Sequence, residues 1–377
     1  MSREAPLSNS EPIPLADLSL QHAPIAEEVA RGWSEVIAST SYILGSQVQD
    51  FEEAFARYCG VEETVGVANG TDAVELALRA VGVGRGDEVI VPANTFIATA
   101  LAAHRAGAEV AFVDVDPRTQ LLDPKLLSDA IGPNTAAVVP VHLFGQIAPM
   151  EAIVEVAAAR GIAVIEDGAQ SQGATRDGHA MGHWGDSCAT SFFPGKNLGA
   201  YGDGGAVVTR HAEVAGRLRA LRNYGSEAKY EHPVVGFNSR LDTLQAVVLS
   251  AKLRHLDGWN EQRRQAAARY DVLLRDIDDV VLPVVAEGNV HVWHLYVVRV
   301  PERDRVLERL HAEQIFAGIH YPKIVPLQGA FRTPRYDEKS FPVAHTASTE
   351  ILTLPLFPGI TAAQQERVAA TLAEALA

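Results

Sequence analysis

A single lysine lies among five glycines at residues 191–205, which read Ser-Phe-Phe-Pro-Gly-Lys-Asn-Leu-Gly-Ala-Tyr-Gly-Asp-Gly-Gly. Glycine adopts backbone angles that are barred to other residues and lets the chain approach a ligand closely. A lysine held in such a turn can be desolvated, which lowers its pKa and makes the amine a nucleophile toward carbonyl compounds. Lys196 is therefore a candidate nucleophile, although a glycine-rich hairpin with a solvent-facing lysine explains the pattern equally well.

A candidate acidic group ends the apolar stretch at residues 163–166. The segment reads Ala-Val-Ile-Glu-Asp-Gly-Ala-Gln over residues 163–170, which predicts a buried strand that ends near Asp167. Ligands of α/β sheets bind beyond the carboxyl ends of the strands. A carboxylate there can keep a proton on a heteroaromatic nitrogen, as the electron-sink ring of pyridoxal 5′-phosphate (PLP) requires. A helix N-cap is the alternative role of Asp167.

Two further turns follow predicted strands. Residues 67–73, Val-Ala-Asn-Gly-Thr-Asp-Ala, predict a strand, a turn and a helix start. Free backbone N–H groups at a helix N-terminus bind anions, Gly70 would let a phosphate approach, and the Thr71 hydroxyl adds a donor. A capped helix without a ligand is the alternative, and the Lys-Ser/Thr of a P-loop is missing. Phe96, after the next strand, could stack on a flat ring, but a core position is the favoured interpretation for this residue alone.

These turns connect elements that alternate from residue 64 to about residue 210. Strands that are apolar throughout and separated by helical patterns predict an α/β fold with a mostly parallel sheet covered on both faces. The predicted strands are 64–68, 88–91, 109–114, 136–143, 163–166, 188–192 and 205–209. The predicted helices between them are 71–81, 95–106 and 150–158.

The pattern changes after residue 209. Long amphipathic helices at 241–253 and 259–277 lead to a strand at 293–300 and helices at 303–313 and 361–376, which predicts a smaller α+β domain. We therefore expect an N-terminal arm at residues 1–20, a large α/β domain at 21–250 and a small C-terminal domain at 251–377.

Composition narrows the class of protein. The chain has 377 residues, of which 47% are hydrophobic, and a net charge of −15. An acidic surface repels polyanions, so nucleic acid is not expected as a partner. No apolar run has the ~18–20 residues that span a bilayer, and no basic-then-apolar start marks a secretory signal, so we expect a cytoplasmic enzyme away from membranes. Cys59 and Cys188 lack the spacing of a zinc site, and we expect no metal.

Nearly the whole chain resembles the DegT-type sugar aminotransferases, a family of fold-type I PLP enzymes with an aspartate aminotransferase-like fold. The resemblance is strongest to members that act on nucleotide-linked 3-keto hexoses. It rests on the order of the anion turn, the aromatic residue, the strand-end carboxylate and the glycine-framed lysine. The matching stretches are residues 42–45, 69–73, 92–96, 112–116, 142–146, 166–167, 170, 191–205, 236–241 and 318–322.

The resemblance implies a role for each matching residue. Lys196 resembles the Schiff-base lysine that also shuttles the proton, and Asp167 the partner of the pyridinium nitrogen. Gln170 resembles the residue that contacts the ring hydroxyl, and Phe96 the stacking aromatic. The residues that resemble phosphate ligands are Gly70, Thr71 and Ser191.

A second group of residues is implied to contact a substrate or a neighbouring subunit. Asn238 resembles the asparagine that reaches the phosphate in the neighbouring subunit, which implies a homodimer with shared sites. Arg240 is expected to contact a substrate anion there. His320 and Tyr321 match a segment near the sugar nucleotide. By contrast, we expect structural roles for three residues, which are His142, Gln146 and His294.

The implied reaction moves the amino group of L-glutamate to a keto sugar in two halves. A nucleoside-diphosphate-linked 3-keto-6-deoxyhexose is the implied acceptor. The family usually has Pro-Leu-His after the His-Tyr-Pro at residues 320–322, but this chain reads Lys-Ile-Val-Pro-Leu-Gln at residues 323–328. A 4-keto sugar or a cyclitol ketone therefore stays open as the acceptor. Two different functions also stay open: a PLP-dependent sugar dehydratase, in which a histidine replaces the lysine, and a non-catalytic sugar-nucleotide-binding regulator.

Overall fold

The computed structural model describes residues 11–226, 228 and 230–377. The first half of the predicted arm thus lies outside the described residues. The α-helices are α1 Ser19–His22, α2 Ala26–Ser39, α3 Ser46–Cys59, α4 Gly70–Ala80, α5 Ile97–Ala106, α6 Pro124–Ala130, α7 Met150–Ala158, α8 Ala212–Arg222, α9 Thr243–Leu253, α10 Leu256–Leu274, α11 Arg303–Ala312, α12 Pro342–Glu350 and α13 Ala362–Leu376. The strands are β1 Glu63–Val67, β2 Glu88–Pro92, β3 Glu109–Val113, β4 Thr135–Val138, β5 Ala163–Asp167, β6 Thr175–Arg176, β7 His179–Ala180, β8 Ser187–Ser191, β9 Gly205–Thr209, β10 Asn289–Val290, β11 Tyr296–Arg299 and β12 Ile351–Leu354.

The central sheet has seven strands in the order β1-β9-β8-β5-β4-β2-β3. The strands β3, β2, β4, β5 and β8 pair in parallel, whereas β9 runs antiparallel to both β8 and β1. The direction of β1 is therefore that of the parallel strands, and their carboxyl ends lie at one edge of the sheet. The prediction of a mostly parallel sheet is confirmed, while the strand order was not predicted.

Helices cover both faces of this sheet because successive strand residues point to opposite faces. Val89 and Val91 pack with apolar residues of α4, α5 and α8. Ile90, which lies between them, packs on the other face with residues of α6 and α7. Further along that face, α3 and α9 cover Cys188 and Val208. Both faces are thus sealed by apolar side chains, and polar groups meet at the ends of the strands.

A separate apolar cluster lies toward the C-terminus. It joins residues of α10, α11 and α13 to the antiparallel pair β11 and β12. Tyr270 and Tyr296 are fully buried there, with ring centroids 5.1 Å apart. The predicted boundary at residue 250 falls within α9, and the division into an arm and two domains stays a prediction.

Two sequence-based expectations were wrong in detail. The strand predicted at 136–143 is shorter, since β4 ends at Val138. Pro140 has no N–H to donate to a ladder, and a 3₁₀ turn follows at Leu143–Gly145. Several helices, among them α2, α3 and α8, were not predicted. Among the described residues, no helix combines the length and the apolar character that crossing a bilayer requires.

Candidate active site

A cavity of about 760 Å³ opens at the carboxyl edge of the sheet. Its lining includes Asn69 and Gly70 after β1, Phe96 after β2, Asp167 at the end of β5 and Ser191 at the end of β8. Ligands of parallel α/β sheets bind at this edge because the connections there leave a crevice. The cavity thus joins four turns that are far apart in the sequence.

Lys196 lies on the wall of this cavity, in the turn that follows β8. Its backbone N–H donates to the Phe193 carbonyl at 2.8 Å, which closes the turn. Burial lowers the pKa of Lys196 to about 8, and the negative charge of Asp167 opposes this shift. Among the residues that the structure describes, none hydrogen-bonds to Lys196 Nζ, so the amine is available to a ligand in the cavity.

Asp167 is buried, and donors from its own surroundings hold both of its oxygens. Thr99 Oγ1 donates to Oδ2 at 2.8 Å, and the Ala169 N–H donates to Oδ1 at 3.1 Å. Thr95 Oγ1 lies 2.8 Å from Thr99 Oγ1. Because Thr99 uses its one proton on Asp167, Thr95 is the donor of that second bond. The carboxylate is therefore oriented by a chain of two hydroxyls and keeps acceptor capacity toward the cavity.

The turn before α4 and the end of β8 approach each other closely. A Cβ at Gly70 would lie 2.5 Å from the Cβ of Ser191, so a side chain there would displace Ser191. Asn69 caps the helix, with its side chain accepting from the Asp72 N–H at 2.8 Å. Within the described residues, the N–H groups of Gly70 and Thr71 find no acceptor. These N–H groups and the Ser191 hydroxyl form an anion cradle that only glycine at position 70 permits.

A second group of side chains closes the cavity from the C-terminal part of the chain. Gln170 accepts from the Phe144 N–H at 2.6 Å and donates to the Tyr321 hydroxyl at 3.2 Å. The ring of Tyr321 lies 5.2 Å from that of Phe96, centroid to centroid. His320 lies beside Tyr321 and shares a hydrogen bond of 2.9 Å with Thr353. Phe96 is 51% exposed, so the expectation of a core position for this residue was wrong.

Burial and nearby charges shift the pKa values of His320 and Tyr321. Burial, and to a smaller extent the charge of Lys196, together lower the pKa of His320 to about 4, so the imidazole is neutral at pH 7. Burial and the charge of Asp167 raise the pKa of Tyr321, which keeps its hydroxyl protonated. Both residues therefore face the cavity as neutral hydrogen-bonding groups.

Asn238 and Arg240 do not line this cavity. The side-chain Oδ1 of Asn238 accepts from Arg240 Nη2 at 2.6 Å, and the Arg240 guanidinium lies over the Tyr224 ring at 5.4 Å. The segment lies beside the anion cradle, since Ser239 Oγ donates to Asp72 Oδ2 at 2.8 Å. One chain thus does not bring Asn238 or Arg240 to Lys196, and their assignment to a neighbouring site stays a prediction.

The residues expected to be structural divide into two groups. His142 is buried away from the cavity, 2.9 Å from Glu166, and Gln146 bonds to the backbone at Val284 and Ala286. His294 differs, because it lines the cavity and lies 3.1 Å from the side-chain oxygen of Asn197. Its place in the cavity wall was not predicted.

Three buried side chains lie close enough together to suggest a metal site. They are those of His142, Glu166 and Cys188. Glu166 already accepts from three backbone N–H groups, at residues 182, 184 and 185, in addition to its contact with His142. The His142 Nδ1 accepts the N–H of Ala148 at 3.2 Å, so the proton is on Nε2 and points to Glu166. Burial raises the pKa of the Cys188 thiol. The cluster is therefore satisfied by protein donors, which fits a structural role.

The pattern of the DegT/DnrJ/EryC1/StrS aminotransferase family matches residues 24–373. This chain belongs to that family. Among its relatives, dTDP-3-amino-3,4,6-trideoxy-alpha-D-glucose transaminase of Streptomyces venezuelae is 43% identical over 94% of each chain. A Geobacillus stearothermophilus protein named pleiotropic regulatory protein is 45% identical over 96% of this chain and 98% of its own.

Solved structures agree with this membership. The crystal structure of S. venezuelae DesV in complex with a ketimine intermediate is similar with a TM-score of 0.94 and 43% identity, over 97% of this chain and 98% of DesV. The structure of NtdA from Bacillus subtilis with bound cofactor PMP has a TM-score of 0.90 and 29% identity, over 99% of this chain and 86% of NtdA. The α/β fold that the resemblance implied is confirmed, and the chain is an aminotransferase of this family.

The cavity residues fit the cofactor that such aminotransferases use. The cradle at Gly70 and Ser191 suits a phosphate, and a side chain in place of Gly70 would fill it. Asp167 offers an oriented carboxylate for a ring nitrogen, and Lys196 offers an amine with no protein partner among the described residues. The exposed ring of Phe96 adds a flat apolar surface. Each chemical part of PLP thus has a matching group in the cavity.

Proposed function

We propose that this chain is a PLP enzyme that transfers the amino group of L-glutamate to a nucleoside-diphosphate-linked 3-keto-6-deoxyhexose, in the biosynthesis of an amino sugar. One observation carries the proposal: Lys196 and Asp167 line the same cavity as the glycine cradle at Gly70. A nucleophilic amine, a carboxylate for the ring nitrogen and an anion site are what PLP chemistry requires of a protein.

Lys196 performs two tasks in this proposal. When bound, PLP supplies an aldehyde and an electron-withdrawing ring that stabilises negative charge on the neighbouring carbon. The Lys196 amine would hold the aldehyde between turnovers, and its Nζ, once free, would take and return a proton at the reacting carbon of the substrate. Burial lowers the pKa of Lys196 to about 8, so the free amine can exchange a proton near neutral pH.

The other cavity residues are proposed to hold and orient the cofactor. Asp167 accepts the hydrogen bond of the ring nitrogen and keeps that nitrogen protonated, while Thr99 fixes the direction of the carboxylate. The backbone at Gly70 and Thr71, with the Ser191 hydroxyl, binds the phosphate. Phe96 would offer its exposed ring as a flat apolar surface for the cofactor ring. Gln170 is assigned to the ring hydroxyl.

The choice of a 3-keto sugar is supported by the S. venezuelae relative, which is named for a 3-amino sugar and matches over nearly the full chain. His320 and Tyr321 lie at the cavity wall where a sugar hydroxyl would meet neutral partners. Residues 323–328 lack the histidine that the family usually has after Pro-Leu, so a 4-keto sugar or a cyclitol ketone stays open as the alternative acceptor.

The experiment that tests the reaction separates its two halves. The PLP form is mixed with L-glutamate, the product is desalted, and 3-keto and 4-keto nucleotide sugars are added to separate samples. Loss of the PLP absorbance with glutamate and its return with the 3-keto sugar alone is the expected result. Return of the PLP absorbance with the 4-keto sugar alone would show that the amine is transferred to C4. An absorbance that does not change with glutamate would refute glutamate as the amino donor.

A second function has one observation in its favour, the regulatory name of the G. stearothermophilus relative. A regulator that only binds a sugar nucleotide needs no covalent chromophore. Borohydride reduction of the protein as purified, followed by peptide mapping, distinguishes the two. A pyridoxyl group on Lys196 supports the enzyme, and an unmodified Lys196 in a protein that still binds sugar nucleotide supports the regulator.

We further propose that two chains share each site, with Asn238 and Arg240 serving the neighbouring cavity. Apolar side chains at Tyr42, Ile43 and Leu44 are 43%, 46% and 39% exposed. Ile43 forms a bridge with Asp242, so this apolar surface continues from the Asn238 segment. Contiguous exposed apolar side chains mark surfaces that are covered by a partner.

Hybrid dimers test this sharing. Lys196→Ala and Asn238→Ala chains are each inactive or weak alone, and a hybrid of the two contains one site with both native residues. Mixing equal amounts after mild dissociation should restore roughly a quarter of wild-type activity, because half of the dimers are hybrids with one intact site. Activity that stays at the sum of the separate variants would refute shared sites.

A further inference from the structure

Arg263 is a buried cation in the wall of the cavity. It lies on α10, is 3% exposed, and lines the cavity together with Lys196 and His294. Its Nη1 donates to the carbonyls of Trp293 at 3.3 Å and Leu356 at 3.1 Å. Neither contact carries a negative charge.

No carboxylate among the described residues forms an ion pair with Arg263, in contrast to the buried Arg222, which pairs with Glu52. A buried charge without a counter-ion is costly, because the lost hydration is not replaced. The Nε and Nη2 groups make no hydrogen bond to another described residue. An arginine presents its donors as a planar fork that matches the two oxygens of a carboxylate. The unused side of Arg263 is thus suited to an anion from the cavity.

The neighbours of Arg263 place this anion site close to Lys196. His294 lies near both cations: burial first, then the charge of Lys196, then that of Arg263, lower its pKa well below the usual value. The Asn197 amide donates to Asn260 and to the Val292 carbonyl, so its oxygen accepts the Nδ1 proton of His294. His294 is therefore neutral and adds no second charge. Apolar residues also line the cavity, among them Leu15, Leu354 and Leu356.

We propose that Arg263 binds a carboxylate of the amino donor, and so selects an amino acid as the source of nitrogen. The inference rests on the proposed function. The α-carboxylate of a donor is attached to the carbon that bears the reacting amine, so it must lie close to Lys196. In a nucleotide sugar the sugar ring separates the diphosphate from the reacting carbon, which directs that anion farther from Lys196.

Binding of glutarate, a dicarboxylate without an amine, tests the site without any turnover. We expect calorimetry of the holoenzyme to show that Arg263→Lys and Arg263→Gln weaken glutarate binding about tenfold to a hundredfold, since a charge-assisted bidentate contact is lost. Both variants keep a donor for the Trp293 or Leu356 carbonyl. Arg269→Lys, on the same helix but bonded to Gln365 outside the cavity, is the matched control. Variants that unfold at the wild-type temperature but bind glutarate as tightly as wild type would overturn the proposal.

The two half-reactions distinguish the donor from the sugar as the source of the anion. In the Arg263 variants the half-reaction with glutamate should need about tenfold or more higher glutamate concentration, whereas the half-reaction of the aminated enzyme with keto sugar should change less than about threefold. A parallel loss in both halves would assign Arg263 to the sugar and overturn the donor role. Alanine, compared with glutamate, shows which carboxylate is bound: an equal loss for both donors indicates the α-carboxylate, and a loss for glutamate alone the side-chain carboxylate.

A crystal of the Lys196→Ala variant grown with glutarate keeps Arg263 and does not depend on the fold of its variants. A carboxylate paired with the Arg263 guanidinium is the expected result, and glutarate bound elsewhere or absent would overturn the proposal. This variant cannot hold the cofactor covalently. Failure of glutarate binding thus refutes the role of Arg263 alone, whereas an unmodified Lys196 in the wild-type protein refutes the proposed function.

Discussion

Two regions of the molecule carry the same kinds of ionisable group with different surroundings. At the cavity wall stand Asp167 and Lys196. In the sealed interior stand Glu166, adjacent to Asp167 on the same strand, and Lys252, which contacts the turn that holds Lys196. Each cavity residue therefore has a chemically similar neighbour that no ligand reaches.

The two carboxylates differ in how their oxygens are used. Glu166 accepts hydrogen bonds from the N–H groups of residues 182, 184 and 185 and contacts His142. It thereby joins the loop between β7 and β8 to the loop that follows β4. Among the described residues, the Asp167 carboxylate accepts from Thr99 Oγ1 and the Ala169 N–H alone, and its remaining acceptor capacity faces the cavity. Alternation along the strand sends one carboxylate into the structure and the other toward the ligand.

Burial shifts the pKa of the two lysines in the same direction. Burial lowers the pKa of both Lys196 and Lys252 to about 8. Lys252, however, donates to the Gly199 carbonyl at 2.7 Å and lies 4.7 Å from the centre of the Tyr201 ring. A lowered pKa thus does not by itself identify a nucleophile. Access to the cavity and a nearby carboxylate distinguish Lys196.

The largest expected effect separates the two lysines. Lys196→Ala should lower aminotransfer at least about 10³-fold, because it removes both the covalent link and the proton carrier. Lys252→Met should leave the rate within about threefold, since Lys252 supports the turn without reaching the cavity. Steady-state rates and the absorbance of the bound cofactor measure both. Comparable losses in the two variants would show that the contrast between cavity and interior is wrong.

A smaller effect separates the two carboxylates. Asp167→Asn should lower the rate about 10²-fold or more, because an amide cannot keep the ring nitrogen protonated. Glu166→Gln should instead cost on the order of 3 kcal/mol of stability, since the amide N–H₂ group would meet N–H donors in a buried site. Rates and urea unfolding are measured on both variants. The comparison fails if Glu166→Gln loses activity as Asp167→Asn does while remaining equally stable.

The hydroxyl chain behind Asp167 gives a finer test. Thr99→Val removes the donor at 2.8 Å from Asp167 Oδ2 and should lower the rate roughly tenfold, the value of one buried hydrogen bond to a charged acceptor. Thr95→Val, one bond farther from the carboxylate, should have a smaller effect. Pre-steady-state loss of the PLP absorbance with glutamate measures this step. Equal effects of the two variants would show that Thr99 acts through packing.

The sequence predicted those parts of the site that depend on local pattern. Gly70, Asp167 and Lys196 each follow an apolar strand, and the carboxyl ends of parallel strands meet at one edge. Their meeting in one cavity is thus a consequence of the α/β pattern. The bounds of α7 and β9 were likewise predicted, because strong periodicity and flanking glycines define them.

The missed residues depend on contacts between distant segments. Thr99 and Arg263 lie within α5 and α10, and nothing in their local sequence distinguishes them from a helix surface residue. Thr99 meets Asp167 across 68 positions of the chain, and Arg263 meets Leu356 across 93. Only the packing of α5 and α10 against the sheet edge turns them toward the cavity. The apolar neighbours of His294 in the sequence predict a buried structural position, but apolar residues also line the wall of the cavity.

The last prediction concerns Lys252, where we expect little effect on activity but a pH dependence of the free energy of unfolding. In the folded protein its pKa is about 8 against an ordinary value of 10.5, so between these values the unfolded chain binds the additional proton. Stability contributed by Lys252 is therefore complete above the unfolded pKa and is lost as the pH falls toward 8. The free energy of unfolding of the wild type, minus that of Lys252→Met, should rise by about 2 kcal/mol between pH 7.5 and 10.

Urea unfolding of the apo proteins at the two pH values measures this difference, in which the other titrating groups cancel. Lys125→Met is the matched control, because Lys125 is exposed to solvent. A difference that stays flat with pH would mean that Lys252 remains charged in the fold, held by the Gly199 carbonyl and the Tyr201 ring. In that case the two lysines would differ in protonation as well as in access, and proton affinity would regain its value for recognising Lys196 as the nucleophile.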